Sequence, residues 1–303
     1  MSFLRIFCIL GAVTAAVSHA RADELTPRDV RASEPAVVFC YDRARDVVAR
    51  LLSSECHGTV VSEAEARAIA ERRDQQVKRA LAAPRVGHEG LGRAEHGTAF
   101  YVDEVGRLLT SYHVVAGCAA ISVIENSGAE QPARTLAIDV MRDLALLQVD
   151  TVPPAMAFFG SDDASSAEAF VAVVGYPDQA PTSGGPRGRV GELLAPSLSD
   201  LSNEHTLIKA DIRDGDSGSP LLDRRGLVIG IVDRTADADA LRLKGLKSRE
   251  ASTVAFGIPL ALLFDFLDRY DARYQTADSR PVLEAEKIFS LGRQFVTRVD
   301  CWK

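Results

Sequence analysis

Several features that would point to particular classes of protein are missing from this sequence. There is no excess of positive charge: the net charge of −7 and the pI near 5.5 argue against nucleic acid or an anionic membrane surface as a partner. Cysteine is scarce, with five in 303 residues, and neither a CxxC pair nor a cysteine–histidine cluster occurs. We therefore expect no zinc site and no cofactor. Internal repeats and long low-complexity tracts are absent as well.

A long apolar run is missing too, and this decides how the N-terminus is interpreted. Arg5 is followed by an apolar run of about 12 residues (6–17), which is too short to span a bilayer as a helix. Small-residue cleavage sites follow at 18–20 and 20–22. We predict a signal peptide over residues 1–22 and export to the periplasm or the medium. A retained membrane anchor is the alternative.

What is present is the composition of a soluble globular protein. With 47% hydrophobic and 25% charged residues, the chain can build a core in one large or two modest domains. Without the signal peptide four cysteines remain, an even number that suits two disulfides in an oxidising compartment. We predict the pair Cys40–Cys56, which closes a short loop, and hence Cys118–Cys301. Four buried free thiols are the alternative.

Residues 23–95 are predicted to form a helical extension and a linker. Residues 42–52 carry Val47, Val48, Leu51 and Leu52 at helical spacing. Residues 62–83 are rich in Ala, Glu, Arg and Lys, and they begin with the serine and glutamate of a capping box. The glycine-rich residues 84–96 are typical of a linker.

From residue 96 onward, short apolar or alternating runs separated by turns predict antiparallel β-structure. They lie at 97–102, 108–111, 121–125, 136–140 and 144–149, and again at 169–175, 189–194, 206–210, 221–222, 227–232 and 253–258. Five or six runs in each set predict a mainly β fold with two antiparallel six-stranded β-barrels, at about 96–152 and 168–258. Residues 259–270 and 282–299 are predicted as closing helices. The two barrels and the first closing helix would then form one region at 96–270, followed by a helical tail at 271–303.

The stretch 215–220, Gly-Asp-Ser-Gly-Ser-Pro, predicts a tight loop between two of these strands with Ser217 exposed at its tip. The glycines also let backbone N–H groups converge on one point, as the oxyanion of an acyl-transfer reaction requires. The same composition is ordinary for a turn. The assignment therefore depends on whether a base and an orienting carboxylate are available.

His113 is the best candidate for the base, because it follows a predicted strand and precedes a short helical turn. His96 is the reserve, and His205 belongs to no motif. The orienting carboxylate is best assigned to Asp143, at the head of the apolar run 143–149, with Asp139 and Asp150 as competitors. Either residue alone would be more typical of a structural histidine or a turn aspartate.

Together these pieces resemble the trypsin-like (chymotrypsin-fold) serine peptidases, especially the bacterial branch that includes the HtrA and DegP catalytic domains. The matching stretches are 97–100 (Gly-Thr-Ala-Phe), 110–115 (Thr-Ser-Tyr-His-Val-Val), 143–147 (Asp-Leu-Ala-Leu-Leu) and 215–220, in the order of that family. Residues 256–259 (Phe-Gly-Ile-Pro) are similar to the closing strand of that branch. The order His, Asp, Ser excludes the α/β-hydrolases and the subtilisins.

The resemblance implies an exported serine endopeptidase in which Ser217 is the nucleophile, His113 the general base and Asp143 the orienter of its imidazole. The backbone N–H groups of Gly215 and Ser217 would form the oxyanion hole. Its partners would be protein or peptide substrates, with no nucleic acid, no metal and no membrane after signal removal. A catalytically silent protein-binding module and an esterase on the same fold are the alternatives.

The sequence departs from the family in three places. HtrA members carry Asn before the serine, whereas Asp216 follows the trypsin pattern, in which this aspartate pairs with a newly cleaved N-terminus. No such activation site occurs here, so we expect Asp216 to pair with a side-chain cation or to hydrogen-bond locally. Too few residues follow Tyr270 to form a PDZ domain.

Asp211 bears on specificity. It lies six residues before Ser217, where the trypsin-like pattern places the floor of the pocket for the side chain before the cleaved bond. An aspartate there would favour cleavage after Arg or Lys. Arg213 is close enough in sequence to neutralise it, so cleavage after small aliphatic residues is the alternative.

Overall fold

The structure is a computed structural model that describes residues 37–42, 47–54, 56, 58–82, 87–161, 169–178, 185–194, 205–235, 254–277 and 280–303. The signal peptide predicted at residues 1–22 lies outside the described residues. Within these ranges, no helix is long and apolar enough to cross a membrane.

The segment predicted as a helical extension contains a small sheet followed by one helix. β1 (Val37–Asp42) pairs with β2 (Val47–Leu52) and β3 (Thr59–Val61), so the antiparallel order is β2-β1-β3. The helix predicted over 42–52 is therefore wrong in the part that the structure describes, Asp42 and Val47–Leu52, and residues 43–46 lie outside the described residues. Its apolar residues fit a helix by spacing, but so short a run does not distinguish helix from strand, and β1 provides a pairing partner. The predicted Cys40–Cys56 disulfide is confirmed and ties β1 to the segment before β3.

Helix α1 (Glu63–Ala82) begins where the capping box predicts. The backbone N–H of Glu65 donates to Ser62 Oγ at 3.3 Å, and the backbone N–H of Ser62 donates to Glu65 Oε2 at 2.8 Å. Two backbone donors at the helix start are thus satisfied by side chains.

Six antiparallel strands form the first barrel. They are β4 (Arg93–Tyr101), β5 (Arg107–Ser111), β6 (Ala120–Ile124), β7 (Glu130–Asp139), β8 (Leu144–Gln148) and β17 (Val296–Trp302). They close in the order β17-β4-β5-β8-β7-β6, and the one-turn helix α2 (Tyr112–Val115) follows β5. The five strands predicted for this barrel are confirmed, and the sixth comes from the far end of the chain.

Six further strands form the second barrel. They are β10 (Phe170–Gly175), β11 (Arg187–Leu193), β12 (Thr206–Lys209), β13 (Pro220–Leu222), β14 (Val228–Thr235) and β15 (Val254–Pro259). They close in the order β10-β11-β12-β15-β14-β13, and two short strands, β9 (Phe158–Phe159) and β16 (Gln275–Thr276), extend the sheet beside β14. Helix α3 (Leu260–Arg269) follows, as predicted. The predicted architecture of two six-stranded barrels is confirmed.

The helix predicted over 282–299 is correct only in its first part. Helix α4 (Ala285–Phe295) is followed directly by β17, which pairs with β4 on one side and β6 on the other. The β-branched residues Val296, Thr297 and Val299 favour a strand, and this strand leaves the first barrel without an open edge. The predicted Cys118–Cys301 disulfide is confirmed and anchors β17 near α2. Residues expected to form a helical tail therefore complete the first barrel.

One buried apolar cluster continues from the first barrel into the second. It includes Phe100 and Leu109 from the first barrel and Val174 and Ile231 from the second, together with residues of α3 and α4. Because the barrels share this core, the loop between β12 and β13 is held against the β4–β5 side of the first barrel. The candidate site lies at this junction.

Candidate active site

The predicted base and its predicted orienting acid are in direct contact. His113 lies in α2, and its Nδ1 is 2.6 Å from Oδ2 of Asp143, the residue before β8. The other carboxylate oxygen, Oδ1, accepts a hydrogen bond from the backbone N–H of His113 at 2.9 Å. The carboxylate thus fixes both the ring and the backbone of the histidine. It leaves Nε2 as the ring nitrogen that can exchange a proton with another group.

Asp143 reaches this position through an uncommon backbone conformation. Its φ is +54°, in the left-handed region that aspartate tolerates better than most residues. Its backbone carbonyl accepts a hydrogen bond from the N–H of Tyr112 at 2.9 Å. Contacts with two consecutive residues of α2 therefore hold Asp143 in a strained conformation, and such strain is often found at functional sites.

Burial and neighbouring charges act on the pKa of His113 in opposite directions. Burial lowers the pKa of the imidazole, but the hydrogen bond and charge of Asp143 and the charges of Asp233 and Glu95 outweigh it, so the pKa is raised. Burial also raises the pKa of the Asp143 carboxyl, and the contact with His113 offsets only part of that effect. The His113 side chain is 40% exposed and that of Asp143 only 7%, so solvent reaches the base but hardly the acid.

Two glycines give the loop that carries Ser217 its shape. Gly215 has a φ of +89° and Gly218 a φ of +85°, conformations that favour glycine. A side chain at Gly218 would also collide with the backbone carbonyl of Thr98 in β4. The hydroxyl of Thr98 donates a hydrogen bond to the carbonyl of Gly215 at 2.8 Å. The loop is therefore held tightly against the first barrel.

Ser217 lies close to α2. Its backbone carbonyl accepts a hydrogen bond from the N–H of Thr98 at 2.9 Å. Gly97 separates this carbonyl from Val114: a Cβ placed on Gly97 would be 3.0 Å from the Ser217 oxygen and 2.6 Å from Val114 Cγ2. Because Val114 follows His113 in the chain, the structure brings the predicted nucleophile and the predicted base to the same junction.

Hydrogen bonds to the carbonyls of Asp214 and Asp216 fix the directions of the two N–H groups that follow them in the chain. The carbonyl of Asp214 accepts a hydrogen bond from the N–H of Asp178 at 2.8 Å, and the carbonyl of Asp216 accepts one from the N–H of Ser219 at 2.9 Å. In a trans peptide the C=O and the following N–H point in opposite directions. The N–H groups of Gly215 and Ser217 therefore point away from those two partners.

Asp216 is fully buried and forms an ion pair with Arg189 of β11. Both partners expected as alternatives for Asp216, a side-chain cation and a local hydrogen-bond donor, are present. Its Oδ1 accepts a hydrogen bond from the guanidinium, and its Oδ2 accepts one from the backbone N–H of Arg213 at 2.9 Å. Burial raises the pKa of the Asp216 carboxyl more than the charge of Arg189 lowers it.

Asp211 is paired and exposed. Its Oδ2 is 2.6 Å from the guanidinium of Arg213, which keeps the pKa of the Asp211 carboxyl below its ordinary value, and its side chain is 61% exposed. It lines an open cavity of about 420 Å³, and the other charged residues that line it in the described part of the chain are cationic: Arg187, Arg189, Arg213 and Arg293. The acidic floor predicted for a specificity pocket therefore lies in positively charged surroundings.

The alternative candidates for the base and for the orienting acid are paired with other residues. Nε2 of His96 is 3.0 Å from Oδ1 of Asp178, so the ring that could have replaced His113 is engaged with a different carboxylate. Asp139, a competitor for the role of Asp143, forms ion pairs with Arg142 and Arg269.

Sequence reasoning missed three residues around the site: Arg189, His205 and Asp233. Asp233 is buried in β14, and its carboxylate, that of Asp143 and the imidazole of His113 have oxygen and nitrogen atoms within 4.8 Å of one another. The only signal in the sequence was an acid that ends the apolar run 227–232. Arg189 and His205 have no local signature, because their partners are distant in the sequence: Asp216 in the loop before β13 and Asp233 in β14.

Comparison with known proteins adds three findings. The family model described as "Trypsin-like peptidase domain" matches residues 97–231. An uncharacterized protein of Sinorhizobium fredii, y4bJ, is 32% identical over 207 residues, which make up 68% of this chain and 32% of that protein. A probable periplasmic serine endoprotease, DegP-like, of Brucella suis is 31% identical over 153 residues, or 49% of this chain and 29% of that protein. The chain thus spans about a third of the length of these curated relatives.

Among solved structures, the HtrA-type protease AlgW with decapeptide is similar to this protein. The alignment covers 59% of this chain and 52% of the AlgW chain. The two are 26% identical, and the TM-score is 0.48.

Proposed function

We propose that this chain, which carries a trypsin-like peptidase domain over residues 97–231, is a serine endopeptidase. The observation that carries the proposal is the 2.6 Å contact between His113 Nδ1 and Asp143 Oδ2 beside the loop of Ser217. A serine hydroxyl becomes an effective nucleophile only when an oriented base can take its proton. This junction provides a serine, a base and an acid that orients the base.

In the proposed reaction Ser217 Oγ attacks the carbonyl carbon of the peptide bond while its proton moves to Nε2 of His113. The imidazolium then donates that proton to the departing amine, and an acyl-enzyme remains. Water attacks the acyl carbon as His113 takes one of its protons, and the proton returns to Ser217 Oγ when the acid product leaves. Asp143 stays ionised throughout and stabilises the imidazolium.

The negative charge on the attacked carbonyl oxygen needs hydrogen-bond donors. The N–H groups of Gly215 and Ser217 are the proposed donors, because the carbonyls of their peptide units are directed toward other partners. Thr98 and Arg189 support the loop by binding Gly215 and Asp216. A preformed hole of this kind contributes about 3–4 kcal/mol of transition-state stabilisation per donor.

We also propose export, with the protein acting in the periplasm or outside the cell. Two observations support it: the signal-peptide pattern at residues 1–22 and two disulfides, which persist in oxidising compartments. The Brucella suis relative is named as periplasmic. Fractionation of cells that produce the tagged chain tests this proposal, since recovery of uncleaved protein in the cytoplasm would contradict it.

A fluorophosphonate probe tests the function directly. It should label the wild-type protein at Ser217 and leave the Ser217→Ala variant unlabelled, because the probe reacts only with an activated serine. A catalytically silent binding module would not be labelled at all. An esterase would be labelled but would leave a peptide library uncleaved, so mass spectrometry of that library separates the two enzyme classes.

Asp211 remains the candidate specificity residue, and its partner Arg213 determines the result we expect. With its carboxylate bound to Arg213, Asp211 should select Arg or Lys poorly, so a Val-ending chromogenic peptide should be cleaved at least as well as an Arg-ending one. Arg213→Gln should raise turnover of the Arg substrate only a few-fold, because an exposed ion pair is weak. Asp211→Asn is the matched control and should leave turnover of the Val substrate unchanged. A strong wild-type preference for Arg that Asp211→Asn removes would show that Asp211 selects basic residues despite Arg213.

A further inference from the structure

A second histidine–carboxylate pair lies next to His113 and Asp143, and the proposed mechanism does not use it. Oδ2 of Asp233 is 3.3 Å from Nε2 of His205. The Asp233 side chain is 1% exposed and that of His205 only 14%. The ring of His205 packs edge-on against Phe256, with ring centroids 5.6 Å apart. Burial of a carboxylate is costly unless other groups compensate it, so Asp233 is expected to have a role that offsets this cost.

The backbone holds Asp233 at the centre of the site. The carbonyl of the preceding residue, Val232, accepts a hydrogen bond from the hydroxyl of Ser111 at 3.2 Å and another from the N–H of Gly218 at 2.9 Å. Ser111 lies two residues before His113, and Gly218 directly follows Ser217. Strand β14 therefore connects the segment of His113 with the loop of Ser217, directly beside Asp233.

Asp233 also adds a second negative charge beside the base. Its carboxylate, that of Asp143 and the ring of His113 lie within 4.8 Å of one another. Two carboxylates this close repel each other unless cations compensate them. A histidine nitrogen contacts each carboxylate: Nδ1 of His113 contacts Asp143, and Nε2 of His205 contacts Asp233.

We propose that Asp233 is a positioning residue of the peptidase site: its carboxylate, held by His205, stabilises the charged form of the His113 imidazole and keeps the ring aligned with Ser217. The proposal rests on the proposed function. It deepens that function because the imidazolium is the species that forms when Ser217 gives up its proton. A second fixed negative charge lowers the energy of this species before any substrate is bound.

The charged groups that face this region are few among the described residues. Asp143 at the head of β8, Asp233 in β14 and Glu95 in β4 all raise the pKa of His113, against the effect of its burial. Glu95 is exposed, so solvent screens its charge. The guanidinium of Arg234, the residue after Asp233, lies over the ring of Phe256, 5.8 Å from its centroid.

The test is a pH titration of the His113 ring by NMR, in the full chain with Ser217→Ala. Adding Asp233→Asn should lower the titration midpoint of His113 by roughly one pH unit, because a neutral amide no longer stabilises the imidazolium. Adding Glu95→Gln to the same background is the matched control, which also removes one negative charge but from a solvated site. It should shift the midpoint by less than half as much. The His113 resonance is identified as the one that is absent from the spectrum of the His113→Ala variant.

The same substitution should change the kinetics of the active protein. In Asp233→Asn the acid limb of the kcat/KM profile should shift to lower pH by roughly one unit, as in the NMR titration. The plateau value of kcat/KM should fall about tenfold, because the imidazolium is less stabilised in the transition state. A merely structural role for Asp233 would lower the plateau without moving the limb. If Asp233→Asn fails to fold, Asp233→Ser provides a second, smaller neutral side chain.

The two readouts separate this proposal from the function on which it rests. An unchanged His113 midpoint in both neutral variants would overturn the role of Asp233, whether or not the protein hydrolyses peptides. A shifted midpoint in a protein that cleaves nothing would support the role of Asp233 and contradict the peptidase function.

Discussion

Ser217→Ala should abolish peptide hydrolysis while leaving the fold intact. The loss in kcat should approach 10⁶-fold, because a serine, its base and their orienting acid act as one unit. His113→Ala should cost about as much for the same reason. The side chain of Ser217 is only partly buried, so its removal leaves no large cavity and the free energy of unfolding should stay nearly constant. Single-turnover kinetics and thermal unfolding on the same samples measure both effects.

Ser219→Ala is the matched control for that experiment. Ser219 lies two residues farther along the same loop, is fully buried, and its hydroxyl makes no hydrogen bond within the described part of the chain. Its replacement should leave hydrolysis within a few-fold of wild type. Wild-type turnover in Ser217→Ala, or equal loss in both variants, would remove the assignment of Ser217 as the nucleophile.

The pH dependence of hydrolysis follows from the direction of the His113 shift. The base must be neutral to accept the proton of Ser217, and its pKa is raised because Asp143, Asp233 and Glu95 outweigh the effect of burial. Activity should therefore rise with pH through an acid limb above the ordinary imidazole value of about 6.5. A kcat/KM profile from pH 5 to 9 measures the limb, and a midpoint below that ordinary value would contradict this account.

Local chemistry made the loop and the base predictable from sequence. Glycines on both sides of Ser217, and His113 after an apolar run, are features that a short stretch of sequence contains by itself. Their order along the chain then selected one family and excluded the alternatives with a different order. The two disulfides were predictable as well, because one short loop left a single remaining pair.

Features that depend on distant partners could not be predicted in this way. Residues 296–302 form a strand only because β4 and β6 stand on either side of them, and the adjoining helix pattern suggested that the helix continues. Likewise Val47–Leu52 form a strand because β1 pairs with them. Arg189 and Asp233 were not predicted because each contacts residues that are far away in the sequence, and no fixed spacing relates them.

Arg189→Met should strongly destabilise the protein and impair the site. The substitution leaves the carboxylate of Asp216, which is fully buried, without its cation. Removing one partner of a buried ion pair costs about 3–5 kcal/mol of the free energy of unfolding. Because Asp216 stands between the proposed oxyanion donors Gly215 and Ser217, kcat/KM should also fall about 10²–10³-fold. Urea unfolding and steady-state kinetics measure the two losses.

Two further variants identify the cause of that loss. Arg187→Met removes an exposed arginine two residues away on the same strand, and it should change the free energy of unfolding by no more than about 0.5 kcal/mol. The double variant Arg189→Met/Asp216→Asn removes both charges, while its amide oxygen can still accept from the N–H of Arg213, so it should recover most of the stability. If the double variant is no more stable than Arg189→Met alone, packing of the arginine and not its charge holds the loop.

The pH dependence of stability gives an independent check on the same ion pair. Burial already raises the pKa of Asp216 in the folded protein, and loss of the Arg189 charge should raise it further. The folded state of Arg189→Met then binds a proton that the unfolded state has released, so its stability should increase as pH falls from neutral toward the ordinary carboxyl value of about 3.9. The stability difference from wild type should therefore narrow over that range. A difference that stays constant from pH 7 to pH 4 would show that Asp216 is not an unpaired ionised group in the variant.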